Sequence, residues 1–326
     1  MTEIKPIGMK IGSQITAIAC RDEDGKIDIT SIKTCVRYSN GFVKKGSASF
    51  KVGEDAAEYD DAIFPLALGV VETEEGVKQL IDILSTMQIH SGASIVLASP
   101  AVQMKEGNDR LAKAIKQVCQ PQSLTMFSEG LCSAVHLSSL DFINKSAICS
   151  LNLGSSTTEI GCFNDGDEIH LSAHPEVCGN RVDREIAKRV GNLVGDAIVS
   201  IKRIREMKED TSLTDPKTYT VEGMTRHGKK EAQVSDEIIL PLKEYAANVA
   251  TIFCGEVIGA VNTTIRNMAL KSPLFISGGM SNVPGMPELI GDFIYEKMNH
   301  RFEIRCSQEK DNHLTAAKGA LLIAEE

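Results

Sequence analysis

Short apolar runs alternate with amphipathic stretches along the chain. Residues 94–100 and 147–151 are mostly apolar over a few positions, which is typical of buried strands. Residues 74–87 and 108–118 repeat their apolar positions at three- and four-residue intervals, which predicts helices with one buried face. Strands that alternate with helices indicate an α/β protein whose sheets are covered by helices on both sides.

The second half of the chain predicts longer helices. Residues 183–199 have helical periodicity, and we expect residues 202–206 to continue the same helix. Residues 240–268 predict one long helix with an apolar stripe, and residues 314–322 predict another helix. The polar stretch at 207–237 lies between these helices and predicts a small hairpin.

Two segments share a strand–turn–strand pattern, at residues 7–20 and 147–163. The turn residues are Gly12, Ser13 and Gln14 in the first segment and Gly154, Ser155 and Ser156 in the second. Consecutive backbone N–H groups in such turns can bind a phosphate group. One hairpin of this kind is weak evidence, because many similar turns hold no ligand. Two copies suggest two related domains that face a single nucleotide.

A third segment, residues 273–280, is a predicted strand that ends in the pair Gly278 and Gly279. In this order the three segments resemble the actin-like ATPase superfamily, which includes actin, the sugar kinases and the heat-shock chaperone ATPase domain. Within it the chain is most similar to the prokaryotic branch that contains MreB and MamK. The resemblance implies a two-lobed actin-like (ribonuclease H-like) α/β fold, in which each lobe is a mixed sheet flanked by helices.

The resemblance also implies domain bounds. Residues 1–145 correspond to the first lobe, with a small inserted subdomain at about 35–60. Residues 146–326 correspond to the second lobe, with a small inserted subdomain at about 207–237.

Candidate site residues follow from the same resemblance. The nucleotide-binding candidates are Lys10, Gly12, Ser13, Gln14, Asn152, Gly154, Ser155, Ser156, Thr157, Gly179, Asp183, Lys202, Arg205, Glu206, Gly278, Gly279 and Met280. The catalytic candidates are Glu129, Thr157 and Glu159, which would place the attacking water. For Lys202, Arg205 and Glu206 a solvated helix face is an equally good interpretation.

Two departures from the family pattern concern Mg²⁺. Lys10 and Asn152 stand where the resemblance places Asp residues that hold the water shell of the ion. Two unit charges ~4 Å apart at an effective dielectric constant of ~20 interact by ~4 kcal/mol, so we expect Lys10 to repel Mg²⁺ and attract phosphate. Asn152 can still hydrogen-bond a metal-bound water. The sequence therefore predicts an altered Mg²⁺ site and hydrolysis that is slow, changed in its metal dependence, or absent.

Composition excludes several partners. A net charge of −9 argues against nucleic acid, and no apolar run is long enough for direct membrane insertion. The nine cysteines include no Cys-x-x-Cys pair, which favours reduced thiols in a cytoplasmic protein over disulfides or a zinc site.

The leading functional prediction is a cytoskeletal actin-like protein that binds ATP or GTP and polymerises with itself into filaments. Adaptor proteins are not identifiable from the sequence. The alternative, favoured by the lost carboxylates, is a non-polymerising nucleotide-dependent regulator, reactivase or chaperone. A sugar kinase ranks third, because the cysteine-rich zinc motif and the Glu-x-Gly-His segment of the compact kinases are absent.

Overall fold

A computed structural model describes residues 5–38, 50–59, 61–67, 69–100, 105–194, 200–225 and 228–326. The chain divides into two compact units. The first comprises Met1–Ile143 with Leu314–Glu326, and the second comprises Asn144–His313. Within the described residues, no helix is both long enough and apolar enough to cross a lipid bilayer.

The elements of the first unit, up to Ile143, are β1 (Pro6–Ile11), β2 (Ile15–Arg21), β3 (Ile27–Lys33), β4 (Val36–Tyr38), β5 (Phe50–Val52), α1 (Gly53–Ala57), α2 (Glu74–Ser85), β6 (Ser94–Ser99), α3 (Lys105–Cys119), β7 (Ser123–Ser128), α4 (Glu129–Leu137) and α5 (Leu140–Ile143). The elements of the second unit are β8 (Ala147–Leu153), β9 (Thr158–Asn164), β10 (Asp167–His174), α6 (Gly179–Val194), α7 (Ile201–Asp210), β11 (Tyr219–Thr225), β12 (Gly228–Val234), α8 (Asp236–Ile252), α9 (Thr263–Ala269), β13 (Leu274–Ser277), α10 (Met286–Met298) and β14 (Ile304–Arg305). Helix α11 (Thr315–Ala324) belongs to the first unit.

Each unit is built on a five-stranded mixed sheet of the same plan. The strand orders are β3-β2-β1-β6-β7 and β10-β9-β8-β13-β14. In both sheets the first three strands are antiparallel and the last three are parallel. The predicted α/β fold with two mixed sheets is confirmed.

Two small hairpins accompany these sheets. Strands β4 and β5 pair within the predicted insert at 35–60, and β11 and β12 pair within the insert at 207–237. Residues 39–49 and 60 of the first insert, and residues 226–227 of the second, lie outside the described residues. The predicted lobe bounds 1–145 and 146–326 stay a proposal, and α11 groups with the first unit by its contacts.

Two predictions of long continuous helices are wrong. Helix α7 is a separate helix, because Ser200 has an extended backbone and its hydroxyl accepts a hydrogen bond from the amide of Arg203 at 3.2 Å. The predicted helical residues 195–199 lie outside the described residues. Helix α8 ends at Ile252, a π-helical turn follows, and α9 begins after Asn262, whose side chain accepts from the amide of Ile265 at 3.0 Å. In both cases a capping side chain starts a new helix where apolar periodicity alone suggests continuation.

The first sheet carries large residues on one face and small residues on the other. Ile7, Met9 and Ile11 of β1 pack with residues of α2 and α3. The opposite face includes Ala17 and Ala19 of β2, which pack with α11. This alternation follows from the two-residue period of a strand.

Glycines bring helix α11 close to the backbone of its neighbours. A Cβ atom on Gly8 of β1 would overlap the backbone of Ala317 and Leu321, and a Cβ atom on Gly319 would overlap the carbonyl of Cys132 in α4. Helix α11 therefore packs between β1 and α4 at a distance that admits no side chain at these two positions.

The core of the second unit surrounds strand β8, which is buried along its whole length. Leu151 and Leu153 pack with apolar residues of α6, α8 and α10, including Ile186, Leu242 and Ile290. The apolar core of the second unit therefore holds β8 in place up to the turn that joins it to β9.

The substitution Gly319→Ala is expected to lower the free energy of unfolding by about 3 kcal/mol or more, because its Cβ atom meets backbone atoms that cannot move aside. Denaturant unfolding followed by circular dichroism measures this change. The matched control is Gly191→Ala in α6, where no atom lies within 4 Å of the new Cβ atom and where a gain of about 0.5–1 kcal/mol is expected. Equal stability of the two variants would contradict the packing described for α11.

Candidate functional site

Each unit has a hairpin with a tight turn that follows its central strand. In the first hairpin the amide of Gly12 donates to the carbonyl of Ile15 at 3.0 Å, and in the second the amide of Gly154 donates to the carbonyl of Thr157 at 2.9 Å. A Cβ atom on Gly154 would lie 2.5 Å from the Thr157 carbonyl oxygen, so this turn requires glycine. The predicted strand–turn–strand pattern is present in both units.

Lys10 and Glu129 form an ion pair in the first unit. The Nζ atom of Lys10 lies 3.0 Å from Oε2 of Glu129, and the two side chains are 11% and 6% exposed. Lys10 is near the end of β1, and Glu129 is the first residue of α4, directly after β7. Because β1, β6 and β7 are parallel, their carboxyl ends lie at the same edge of the sheet, where the two side chains meet.

This contact changes the electrostatic expectation for the first hairpin. The predicted phosphate-attracting cation and the predicted water-positioning carboxylate neutralise each other. Removing one partner of such a buried pair leaves the other charge without compensation, which costs about 3–5 kcal/mol. The roles of Lys10 and Glu129 toward a nucleotide stay predictions.

Two turn residues of the first hairpin are held by neighbouring backbone. The hydroxyl oxygen of Ser13 accepts a hydrogen bond from the amide of Gly69 at 3.1 Å, and Ser13 is buried. The carbonyl of Gln14 accepts from the amide of Thr34 at 2.9 Å. These bonds fix the path of the turn.

Asn152 and Glu159 are directly opposite each other on β8 and β9. Both residues are buried, at 3% and 1% exposure. The Ser277 hydroxyl donates to Oδ1 of Asn152 at 3.4 Å, and Thr157 is also buried beside the turn. The structure therefore brings the amide of Asn152 and the carboxyl of Glu159 to one place at the end of the hairpin.

The second turn rests on the amino terminus of α6. The amide of Gly179 donates to the carbonyl of Gly154 at 3.0 Å, and the amide of Asn180 donates to the carbonyl of Ser155 at 2.7 Å. The side-chain amide of Asn180 also donates to the Ser156 hydroxyl at 3.3 Å.

These contacts orient the N–H groups of the turn. A trans peptide holds its C=O and N–H on opposite sides, and all described peptide bonds are trans. The carbonyls of Gly154 and Ser155 point toward α6, so the N–H groups of Ser155 and Ser156 point away from it. Two successive N–H groups directed to one side are the arrangement that suits an anion.

The glycine loop after β13 packs against the same region. Gly278 has a φ of +89°, and a Cβ atom there would lie 2.5 Å from the carbonyl oxygen of Leu153. A Cβ atom on Gly179 would lie 3.1 Å from Sδ of Met280, whereas no atom lies within 4 Å of a Cβ atom on Gly279. Gly179, Gly278 and Met280 thus lie near the turn, and Gly279 borders open space.

Asp183 is the centre of a second buried cluster. Its carboxylate lies 2.6 Å from Nζ of Lys208 and 3.1 Å from Nε of Arg205, and Asp183 and Lys208 are both almost fully buried. Arg205 also donates to Oδ1 of Asn180 at 3.4 Å. Arg205 therefore connects α7 to the residue that holds the turn.

Two predicted residues of α7 lie apart from this cluster. Lys202 is exposed, and Glu206 is exposed and pairs with Arg203 at 3.3 Å. Sequence reasoning missed Lys208, which lies one helical turn after Arg205 and directly follows the buried Met207. A lysine next to the apolar stripe of a helix is the signal that points to it.

The two hairpins differ in their fit to Mg²⁺. At the first, the Lys10 ammonium group beside Glu129 does not fit a divalent cation. At the second, the Asn152 amide oxygen and the Glu159 carboxylate are oxygen groups of the kind that Mg²⁺ and its waters bind. In the part of the chain that the structure describes, no cluster of three or more His, Cys, Asp or Glu residues could hold a metal ion.

Comparison with known proteins decides the family. Residues 4–326 match the family model described as Salactin. The chain belongs to the Salactin family. It is 26% identical over 336 residues to Salactin of Halobacterium salinarum (strain ATCC 700922 / JCM 11081 / NRC-1), an alignment that covers 98% of this chain and 91% of that protein.

Solved structures show the same fold. A MamK double helical filament has a TM-score of 0.79 at 18% identity, with 99% of both chains covered. MreB5 of Spiroplasma citri bound to ADP has a TM-score of 0.78 at 17% identity, covering 97% of this chain and 94% of that one. The same MreB5 bound to AMPPNP matches with the same score and identity, covering 98% and 95%. The predicted resemblance to prokaryotic actin-like proteins is confirmed, and the fold of this Salactin-family chain is the actin fold.

The ion pair between Lys10 and Glu129 is tested by a double-mutant cycle. Lys10→Met is expected to lower the free energy of unfolding by about 3–5 kcal/mol, because the buried Glu129 carboxylate loses its ammonium partner. Adding Glu129→Gln to this variant should restore part of that loss. Denaturant unfolding of the full chain gives each value.

The control for this cycle is the exposed pair of Lys78 and Glu75, whose side chains are 71% and 61% exposed. Lys78→Met should change stability by less than about 1 kcal/mol. If Lys10→Met were as mild as Lys78→Met, the buried pair would not contribute as described.

Proposed function

We propose that this chain is an actin-like cytoskeletal protein that binds ATP or GTP and assembles with itself into filaments. Membership of the Salactin family over residues 4–326 is the observation that carries the proposal. The similarity to a MamK chain from a double helical filament supports self-assembly. The similarity to MreB5 bound to ADP and to AMPPNP supports nucleotide binding.

The phosphate-binding role is assigned to the two hairpin turns. The N–H groups of Ser155 and Ser156 point away from α6, and this supports the second turn as a phosphate loop. Gly12, Ser13 and Gln14 are proposed for the same role in the first unit. Gly179, Gly278, Gly279 and Met280 are proposed to contact the nucleoside, and the open space beside Gly279 agrees with that role.

Hydrolysis is proposed to be slow or altered in its metal dependence. The Lys10 ammonium group replaces a carboxylate that would hold the water shell of Mg²⁺, and it pairs with Glu129. The Glu129 carboxylate, which is the proposed water-positioning group of the first unit, is thereby engaged by a cation. Thr157 and Glu159 of the second hairpin are the remaining groups proposed to position water.

The lost carboxylates at Lys10 and Asn152 also favour a second candidate, a nucleotide-dependent regulator or reactivase that does not polymerise. Both candidates use the same nucleotide site. They differ in whether the nucleotide produces a polymer.

Sedimentation with and without nucleotide tests the proposal. The purified chain is expected to form a pellet with ATP or GTP and to stay in the supernatant without them. Binding without a pellet would support the regulator instead. Absence of affinity for any purine nucleotide would contradict both candidates.

The variant Gly279→Val tests whether nucleotide binds at the proposed site. Gly279→Val should fold, because its side chain enters open space, but should weaken nucleotide binding by at least about tenfold by occupying the proposed nucleoside position. Gly191→Val in α6, where the space is also open, should bind nucleotide as the unmodified chain does.

Phosphate release tests the catalytic part. We expect slow release that changes by less than about twofold when EDTA removes divalent cations, because Lys10 stands where a carboxylate would hold the water shell of a metal ion. Lys10→Asp should raise the rate and make it sensitive to EDTA, whereas Lys78→Asp on the exposed face of α2 should not. Release by the unmodified chain that EDTA abolishes would contradict this expectation.

A further inference from the structure

Two cysteines face each other across the second hairpin. Cys149 of β8 and Cys162 of β9 are register partners, with no irregularity between them and the turn. Both side chains are fully buried in the core of the second unit, next to Leu151 and Ile160. Both are free thiols.

The hydrogen-bond pattern of the hairpin makes Cys149 and Cys162 the more closely spaced of the two kinds of cross-strand pair. Opposite residues in an antiparallel ladder alternate between hydrogen-bonded and non-hydrogen-bonded pairs. The bond from the Gly154 amide to the Thr157 carbonyl makes those two residues a hydrogen-bonded pair. Stepping along the register one pair at a time, Cys149 and Cys162 form a non-hydrogen-bonded pair.

This class of pair suits a disulfide. In non-hydrogen-bonded pairs the Cα atoms are about 4.5 Å apart and the side chains approach closely. Disulfides span Cα separations of about 4.4–6.8 Å. The register therefore puts the two cysteines in the class of cross-strand pair whose Cα separation falls within the disulfide range.

The thiols already interact. The neighbouring Cys162 thiol, together with burial, raises the pKa of Cys149. The neighbouring Cys149 thiol lowers the pKa of Cys162. Cys162 is therefore the sulfur that more readily becomes a thiolate, the reactive form in disulfide exchange.

We propose that Cys149 and Cys162 are a redox modification site that closes into a cross-strand disulfide in the presence of a disulfide oxidant such as oxidised glutathione. The Cys162 thiolate attacks one sulfur of oxidised glutathione, forming a mixed disulfide and releasing one glutathione thiolate. The Cys149 thiolate then attacks the Cys162 sulfur and releases the second. The two cysteine protons end on the two released glutathiones, so that one disulfide is consumed and one is formed.

Burial limits the access of glutathione to this pair. Glutathione reaches the pair while the hairpin transiently opens, so exchange in the folded protein is slow. Once closed, the disulfide joins the strands that carry Asn152 and Glu159. The proposal does not depend on nucleotide binding.

An equilibrium experiment on the full chain avoids the problem of access. The protein is unfolded in urea and refolded in buffers with stepped ratios of reduced to oxidised glutathione. Free thiols are then blocked with N-ethylmaleimide, and the chain is digested with trypsin and a glutamyl endopeptidase. Cleavage after Lys145, Glu159 and Glu168 places Cys149 in peptide 146–159 and Cys162 in peptide 160–168, apart from every other cysteine.

The expected result is a linked pair of these two peptides that carries no N-ethylmaleimide. Half-oxidation in the folded protein should occur at a glutathione ratio at least about tenfold more reducing than in urea, because the fold holds the sulfurs together. Cys178→Ala should leave the link intact, since Cys178 instead donates to the carbonyl of Pro175 at 3.2 Å. Cys162→Ala should abolish it.

Three outcomes would overturn the proposal. These are equal half-oxidation ratios in the folded and unfolded chain, separate alkylation of both cysteines at every ratio in protein that circular dichroism shows to be folded, and a link from Cys162 to Cys178.

Discussion

The contact of the Gly154–Ser155 turn with the amino terminus of α6 orders the candidate site of the second unit. Two backbone bonds there fix the direction of two successive peptide planes. The same contact places Gly179 against Met280 and sets Asn180 within reach of both Ser156 and Arg205. A disturbance of α6 would therefore reach the second turn, Met280 and Arg205.

Both units contain a buried lysine whose charge is compensated by a buried carboxylate. Each buries a lysine near the candidate site, Lys10 in the first and Lys208 in the second, and each lysine meets one buried carboxylate. Burial of either charge alone would cost several kcal/mol. The Lys10–Glu129 pair therefore adds little net charge, whereas Asp183 balances only one of its two cationic partners, Lys208 and Arg205. Because both of these partners belong to α7, Asp183 is better described as an anchor for that helix than as a ligand group.

The sheets and the two hairpins could be predicted because a buried strand and a glycine turn each leave a local signature in the sequence. The helix breaks at Ser200 and Asn262 could not be predicted from apolar periodicity, which continues across them, although capping residues are visible at both positions. Contacts between residues that are distant in sequence are harder to predict. Nothing in the spacing of Lys10 and Glu129 shows that they meet, because that contact depends on the order of β1, β6 and β7 in the sheet. Lys208 was missed for the same reason, since its burial is set by Asp183 on another helix.

The close packing of α11 against β1 has a consequence for the order of folding. It joins parts of the chain that are far apart in sequence, since Gly8 of β1 lies against the backbone of Ala317 and Leu321. Residues 144–313 are contiguous and can acquire their structure as soon as they have left the ribosome. The first unit waits for residues 314–326, so its synthesis begins earlier and its native core is completed later. During that interval the face of β1 that α11 covers in the folded protein is exposed to solvent.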